Sequence, residues 1–182
     1  MARVAPITGK SDVPAAYHAV VDDVLQVFGQ VRGPFSMLLH SPKLAAHILP
    51  LVTFFRADSV VEAKERSLGI LVAARERAGD YVWAAQVAAA RRAGVREEAI
   101  DLIRAKGDPA KLPPAERDIV AYAQQLVQKN RIDQATFDAL SSQHDAQWMV
   151  ELTAAINYYG LLSGIVNAFE VPPPADGDRL PH

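Results

Sequence analysis

The sequence predicts an all-α single domain of about eight helices. Three observations carry this. Apolar residues recur at spacings of three and four along most of the chain. No stretch alternates cleanly, as a half-buried strand would. Half of the residues are hydrophobic but only 7% are aromatic, so alanine and leucine must fill the core, as they do between helices. A chain of 182 residues fits one domain. It divides into an N-terminal arm (1–11), a helical body (12–170) and a proline-rich tail (171–182).

The elements follow in order. Asp12 is placed to cap a first helix, with Pro14 in its first turn, where a missing N–H costs nothing. Val20, Val21, Val24, Leu25 and Phe28 give that helix one stripe, and Gly29 ends it. Gly33-Pro34 and Ser41-Pro42 then bracket a single turn over Phe35–His40. Ser41 caps a helix to about Arg56, with Leu44, Ile48, Leu51, Val52 and Phe55 on its apolar side. Asp58-Ser59 turns the chain and caps a helix over about Val60–Arg77. A Gly79-Asp80 break separates it from a helix to about Ala93, and Gly94 supplies the left-handed residue of its end. Arg96–Ala105, Pro113–Lys129, Asp133–Leu140 and Asp145–Phe169 complete the body. The tail is too rich in proline and glycine to be regular. It either lies on the surface or a partner, or stays free.

Composition removes several function classes. Net charge is −2, so no basic surplus points to nucleic acid. No basic amphipathic helix points to a membrane surface. No segment reaches about 18 uncharged apolar residues; the longest candidate, Leu152–Phe169, carries Asn157, two tyrosines, Ser163 and Asn167. The N-terminus lacks the apolar run of a secretory signal, and a cytoplasmic location is the expectation. The absence of cysteine removes disulfides, thiolate metal sites and thiol peroxidase chemistry. The five histidines (18, 40, 47, 144 and 182) lack metal-ligand spacing, and no metal is expected.

The helix after Gly79 contains the main oddity. Val82, Gln86 and Ala90 lie in line, with Trp83 and Val87 beside them, so one amide interrupts an apolar stripe. Gln86 hydrogen-bonds in both senses but does not titrate. It is either a satisfied core amide or the floor of a pocket. His40 lies between two proline marks and either faces a pocket or sits on an exposed loop. Glu65, Glu76 and Asp80 read most simply as surface or cap acids. Tyr159, Ser163 and Asn167 share one face of the last helix. Gly160 and Gly164, on a neighbouring face, would let another helix approach closely.

The stretch 65–95, with its glycine break, Tyr81, Trp83 and Gly94, resembles the carboxymuconolactone decarboxylase family of the alkylhydroperoxidase-D-like superfamily. So do Arg32-Gly-Pro-Phe-Ser-Met-Leu-Leu-His-Ser-Pro42, Gly94–Glu98 and the ending Asn167-Ala-Phe-Glu-Val-Pro172. The resemblance runs from about residue 30 to 173. It implies an alkylhydroperoxidase-D-like helical bundle that assembles into homo-oligomers (dimer, trimer or hexamer). Its decarboxylases act on a lactone acid without a cofactor, and its peroxidase branch uses a Cys-x-x-Cys pair. Here those cysteine positions fall on Gly79 and Val82, the family histidine on Gln86, and the glutamate of the preceding helix on Ser67.

Two functional expectations follow. The first is a cofactor-independent lyase, decarboxylase or isomerase acting on a small carboxylated metabolite. Its catalytic candidates are Gln86, His40 and Glu76. Arg32, Phe35, Tyr81, Trp83, Tyr159 and Asn167 would hold the substrate. The second is a protein of the same fold that has lost catalysis and serves as a ligand-binding or oligomeric scaffold.

Overall fold

The computed structural model describes residues 2–181, so His182 lies outside the described residues. Among the described residues nine α-helices succeed one another: α1 His18–Phe28, α2 Pro34–Leu38, α3 Pro42–Ala57, α4 Ala63–Glu76, α5 Asp80–Arg92, α6 Glu97–Arg104, α7 Pro114–Lys129, α8 Gln134–Ser141 and α9 Ala146–Ala168. Eight of them have eight residues or more, and α2 is the expected single turn. No strand occurs among the described residues.

The centre of the molecule is α4, which packs on α5, α7 and α9. Seven successive residues, Leu68 to Ala74, are buried, as befits a helix with neighbours all round. Gly69 sets its distance from α9. A Cβ there would come 2.9 Å from Ile156 and 3.2 Å from Leu152, so only a hydrogen fits. The helix α9 is long and apolar enough to cross a membrane by length and composition. Its apolarity is accounted for by its position: it runs through the bundle and buries Leu152, Ala155, Ile156, Tyr159 and Leu162.

A tight joint links α4 to α5. Ala78 takes a left-handed φ of 47°, and Gly79 lies against Ser163, whose Oγ would be 2.5 Å from a Cβ at that position. Asn167 donates from Nδ2 to the Arg77 carbonyl at 2.8 Å. The polar face of α9 thus grips the joint. At the far end of α5, Gly94 has φ +82° and the Val95 N–H bonds the Ala90 carbonyl, the expected glycine ending.

Several boundaries differ from expectation. Asp12 does not cap α1: its carboxylate accepts from the Thr8 N–H and hydroxyl, both at 2.8 Å, and two single 3₁₀ turns precede His18. Likewise Ser59 does not cap α4. Its Oγ accepts from the Val61 N–H, Val60 N–H is taken by Glu151, and the helix starts only at Ala63. The arm is docked rather than loose: Ile7 is buried, and its N–H bonds the Ser36 carbonyl. Gly160 and Gly164 receive no helix. The former has only Arg77 within 4 Å of a would-be Cβ, and the latter has nothing. The close approach of α9 is made instead at Gly69 of its neighbour.

A buried carboxylate ties the two sides of the bundle. Glu116, in the first turn of α7, is 5% exposed and receives Arg96 at 2.7 Å and Lys64 of α4 at 3.1 Å. The Arg96 hydrogen bond holds its carboxyl below the usual range, with Lys64 adding to it. A depressed carboxylate contributes stability above its unfolded pKa and loses it as pH falls through the folded one. We therefore expect Glu116→Gln to lower unfolding free energy by about 2 kcal/mol at neutral pH, with the difference shrinking in acid. Urea denaturation at several pH values reads this directly; a pH-independent difference would contradict it.

Candidate active site

One large cavity, about 730 Å³, opens beside α5. Helical period explains its walls. From α4 come Ala63, Arg66, Ser67 and Ile70, one stripe spaced three and four apart. From α5 come Val82, Ala85, Gln86 and Ala89, again one stripe, while Trp83, Val87 and Ala90 turn into the core. From α3 come Val52, Phe55 and Arg56, and from α9 Tyr159 and Leu162. The α1–α2 connection adds Phe28, Arg32, Pro34 and Phe35, and the tail adds Pro174, Asp176, Gly177 and Asp178.

The expected site residues fall into two groups. Gln86, Arg32, Phe35, Tyr81 and Tyr159 line this cavity together. Gln86 is half-buried and makes no hydrogen bond among the described residues, so its amide faces the open space. His40, Glu76, Trp83 and Asn167 lie elsewhere. His40 is exposed past the end of α2, its Nε2 3.0 Å from the Ala5 carbonyl of the arm. Glu76 is off the cavity stripe of α4 and pairs with Lys106 at 2.9 Å. Trp83 is fully buried under the Arg104 guanidinium, 5.6 Å from its ring. Asn167 holds the α4–α5 joint.

Two arginines at the cavity, Arg56 and Arg66, were not among the expected residues. Their signal was present: each interrupts an apolar helical face, as Gln86 does. The Arg66 Nη1 donates to the Val61 carbonyl at 2.5 Å, and burial lowers its pKa, opposed by Tyr159 and Glu151 nearby. Arg56 lies 5.0 Å over the Phe28 ring and donates to the Val27 carbonyl. Ser67, the position matched to the family glutamate, bonds the Ala63 carbonyl of its own helix.

The phenols face these cations. Burial pushes the Tyr159 hydroxyl above the ordinary tyrosine range, while Arg56 and Arg66 pull it back. Burial likewise raises Tyr81, opposed by Arg32. Both are therefore neutral O–H groups at neutral pH, and neither hydroxyl has a hydrogen-bond partner among the described residues. The Tyr81 ring lies against Gly33, where φ is +58° and a Cβ would sit 2.3 Å from Cε1. The arrangement offers arginine cations, two hydroxyl donors and aromatic walls. No histidine or glutamate lines it. Its two carboxylates, Asp176 and Asp178, belong to the tail, and Asp178 is already held by Arg91 and Arg104. No group of histidine, aspartate or glutamate suited to a metal occurs among the described residues.

Comparison with known proteins now bears on this geometry. The sequence pattern of the carboxymuconolactone decarboxylase family matches residues 42–125, which span α3 to α7 and contain both Ser67 and Gln86. The match spans just under half of the chain. Among solved structures it is similar to the debrominase Bmp8, in a cysteine-to-alanine variant complexed with 2,3,4-tribromopyrrole. The TM-score is 0.74 at 19% identity, over 96% of this chain and 95% of that one. It is also similar to the alkylhydroperoxidase AhpD core of a peroxidase-related protein from Ralstonia eutropha JMP134, with TM-score 0.71 at 19% identity over 95% of each chain. A protein of unknown function from Agrobacterium tumefaciens gives 0.68 at 17%, over 76% of this chain and 96% of that one. At these identities the likeness establishes the AhpD-like fold alone. No curated protein sequence matches the chain.

Two measurements follow from the phenols and from Gly33. Ultraviolet titration of the native protein should find Tyr81 and Tyr159 ionising above the ordinary range of about 10. A raised phenol contributes stability that is complete below its unfolded pKa and is lost as pH rises through the folded one. Tyr159→Phe should therefore flatten the alkaline loss of stability. Gly33→Ala, which adds backbone strain and drives into the Tyr81 ring, should cost about 1–3 kcal/mol. An unchanged Tm in that variant would contradict the packing.

Proposed function

We propose that the cavity binds a small carboxylated metabolite of aromatic-ring size and that the protein decarboxylates it without a cofactor. The observation that carries this is the company kept by Tyr159: a buried neutral hydroxyl beside Arg56 and Arg66, with Arg32, Tyr81 and Phe35 lining the same space. Guanidinium forks suit carboxylates, and rings suit a flat substrate. The debrominase of similar fold holds a small halogenated ring, which agrees with a ring-sized ligand.

The choice of decarboxylation over isomerisation rests on what lines the chamber. Gln86 and Ser67, where relatives place a base and an acid, carry no titratable group, so a reaction that begins with proton abstraction lacks its base. Decarboxylation begins differently. The bond between the carboxylate carbon and the ring breaks, carbon dioxide leaves, and the electron pair moves onto a conjugated carbonyl of the substrate. An arginine stabilises the resulting enolate oxygen. The enolate carbon then takes the Tyr159 proton, and the phenolate recovers one from water.

A second reading, a ligand-binding protein without turnover, is favoured by the same neutral Gln86 and Ser67. Salicylate serves as a binding probe by calorimetry. Arg66→Ala should weaken its affinity by about tenfold, with Arg66→Lys restoring only part. Ring and lactone acids bearing a conjugated carbonyl are then assayed for carbon dioxide release. Tyr159→Phe should keep binding and lose release. Acids that bind while none loses its carboxylate would establish the second reading, and salicylate affinity indifferent to Arg66→Ala would sink both.

A further inference from the structure

The tail departs from a free proline-rich extension in three ways. Leu180 is buried in the main core, 4% exposed. The Asp178 carboxylate bridges Arg91 of α5 at 2.6 Å and Arg104 of α6 at 3.0 Å. Gly177 presses on α5 so closely that a Cβ would stand 2.6 Å from the Ala84 methyl. Two of these anchors, Gly177 and Asp178, form part of the cavity wall with Pro174 and Asp176 just before them. The family pattern ends at residue 125, far short of this segment.

The anchors differ in strength. Proline restricts 172–174, so the approach to α5 is stiff. The Asp178 pair is half-solvated, with side-chain exposures of 41% for Arg91, 26% for Arg104 and 25% for Asp178, and salt screens such pairs. Arg91 also binds Glu97 at 2.6 Å, and Arg104 binds Asp101, so both cations keep a partner when the tail leaves. Detachment therefore strands no charge. It uncovers the alanine face of α5, where Ala84 and Ala85 line the cavity.

We propose that residues 172–181 are a releasable strap that gates access to the cavity, clasped by Asp178 on Arg91 and Arg104 and seated by Gly177 on Ala84. The strap closes the chamber by forming its outer wall, and its opening admits the ligand. This inference concerns access alone and stands apart from the nature of the ligand or its reaction.

The absence of cysteine permits a direct test. An Ala85→Cys change places a single thiol on the cavity wall, and its thiolate attacks dithionitrobenzoate, forming a mixed disulfide and releasing a coloured thionitrobenzoate. Adding Gly177→Val, which a seated strap leaves no room for, should raise the labelling rate about tenfold. Adding Asp178→Asn, which preserves size, should raise it about threefold. With Asp178 intact the rate should climb with salt; with asparagine it should not. Trypsin cleavage after Arg179 should accelerate in parallel, while circular dichroism shows the helices intact. Labelling unchanged in both variants overturns the proposal, whether or not cleavage accelerates, because the tail would then not control access. Asp178→Asn keeps the test decisive if Gly177→Val fails to fold.

Discussion

The missing side chain at Gly69 is the constraint on which the rest of the structure depends. It brings α4 against Leu152 and Ile156 of α9 at a distance no other residue permits. One turn along α9 from Ile156 lies Tyr159, and one turn back along α4 from Gly69 lies Arg66. The close approach therefore places a buried phenol and a guanidinium beside each other. Ser163 and Asn167, the next two turns of α9, lock the joint that aims α5. One face of one helix thus positions the core, the chamber and the helix that carries Gln86.

That chamber is electrostatically one-sided. Arg32, Arg56 and Arg66 line it, and no acid from the helices stands among the lining residues. Several guanidinium groups elsewhere are paired with carboxylates: Arg96 with Glu116, Arg91 with Glu97 and Asp178, Arg117 with Asp118. Arg66 instead spends one hydrogen bond on a backbone carbonyl and loses hydration to burial. A partly desolvated cation such as Arg66, with donors to spare, attracts an anion more strongly than the same group in water. The gathering of these cations around buried phenols supports the proposal that this cavity is a site.

The fold was largely legible in the sequence because its signals are local. Helical period, the Gly29 and Gly94 endings, the Asp133 cap and the Pro114 start all act within a few residues. The misread boundaries have non-local causes. Asp12 is drawn to Thr8, and Glu151, ninety-one residues away, takes the N–H of Val60. The site was legible only in part for a related reason. Period shows which residues share a face but not what the face meets. Gln86 and Trp83 were equally visible on α5, yet one faces the cavity and the other the core. Arg66 interrupts an apolar face as Gln86 does, but arginine on a helix usually reads as solvated. Only the fold shows that its head is turned inward. The tail gave no signal, since its clasp joins residues more than seventy apart.

The neutral residues at 67 and 86 also bear on the part we propose for the tail. With Gln86 and Ser67 unable to exchange protons, the proposed reaction would act through field and exclusion of water rather than through a titrating base. Guanidinium groups stabilise a developing anion only to the extent that bulk solvent is kept from screening them. Helices α3, α4, α5 and α9 line the chamber on its inner sides, and on α5 much of that lining is alanine. Pro174, Asp176, Gly177 and Asp178 supply cover from the end of the chain. In the proposed reaction a chamber without acid–base residues at 67 and 86 depends more on its wall, and part of that wall is the tail.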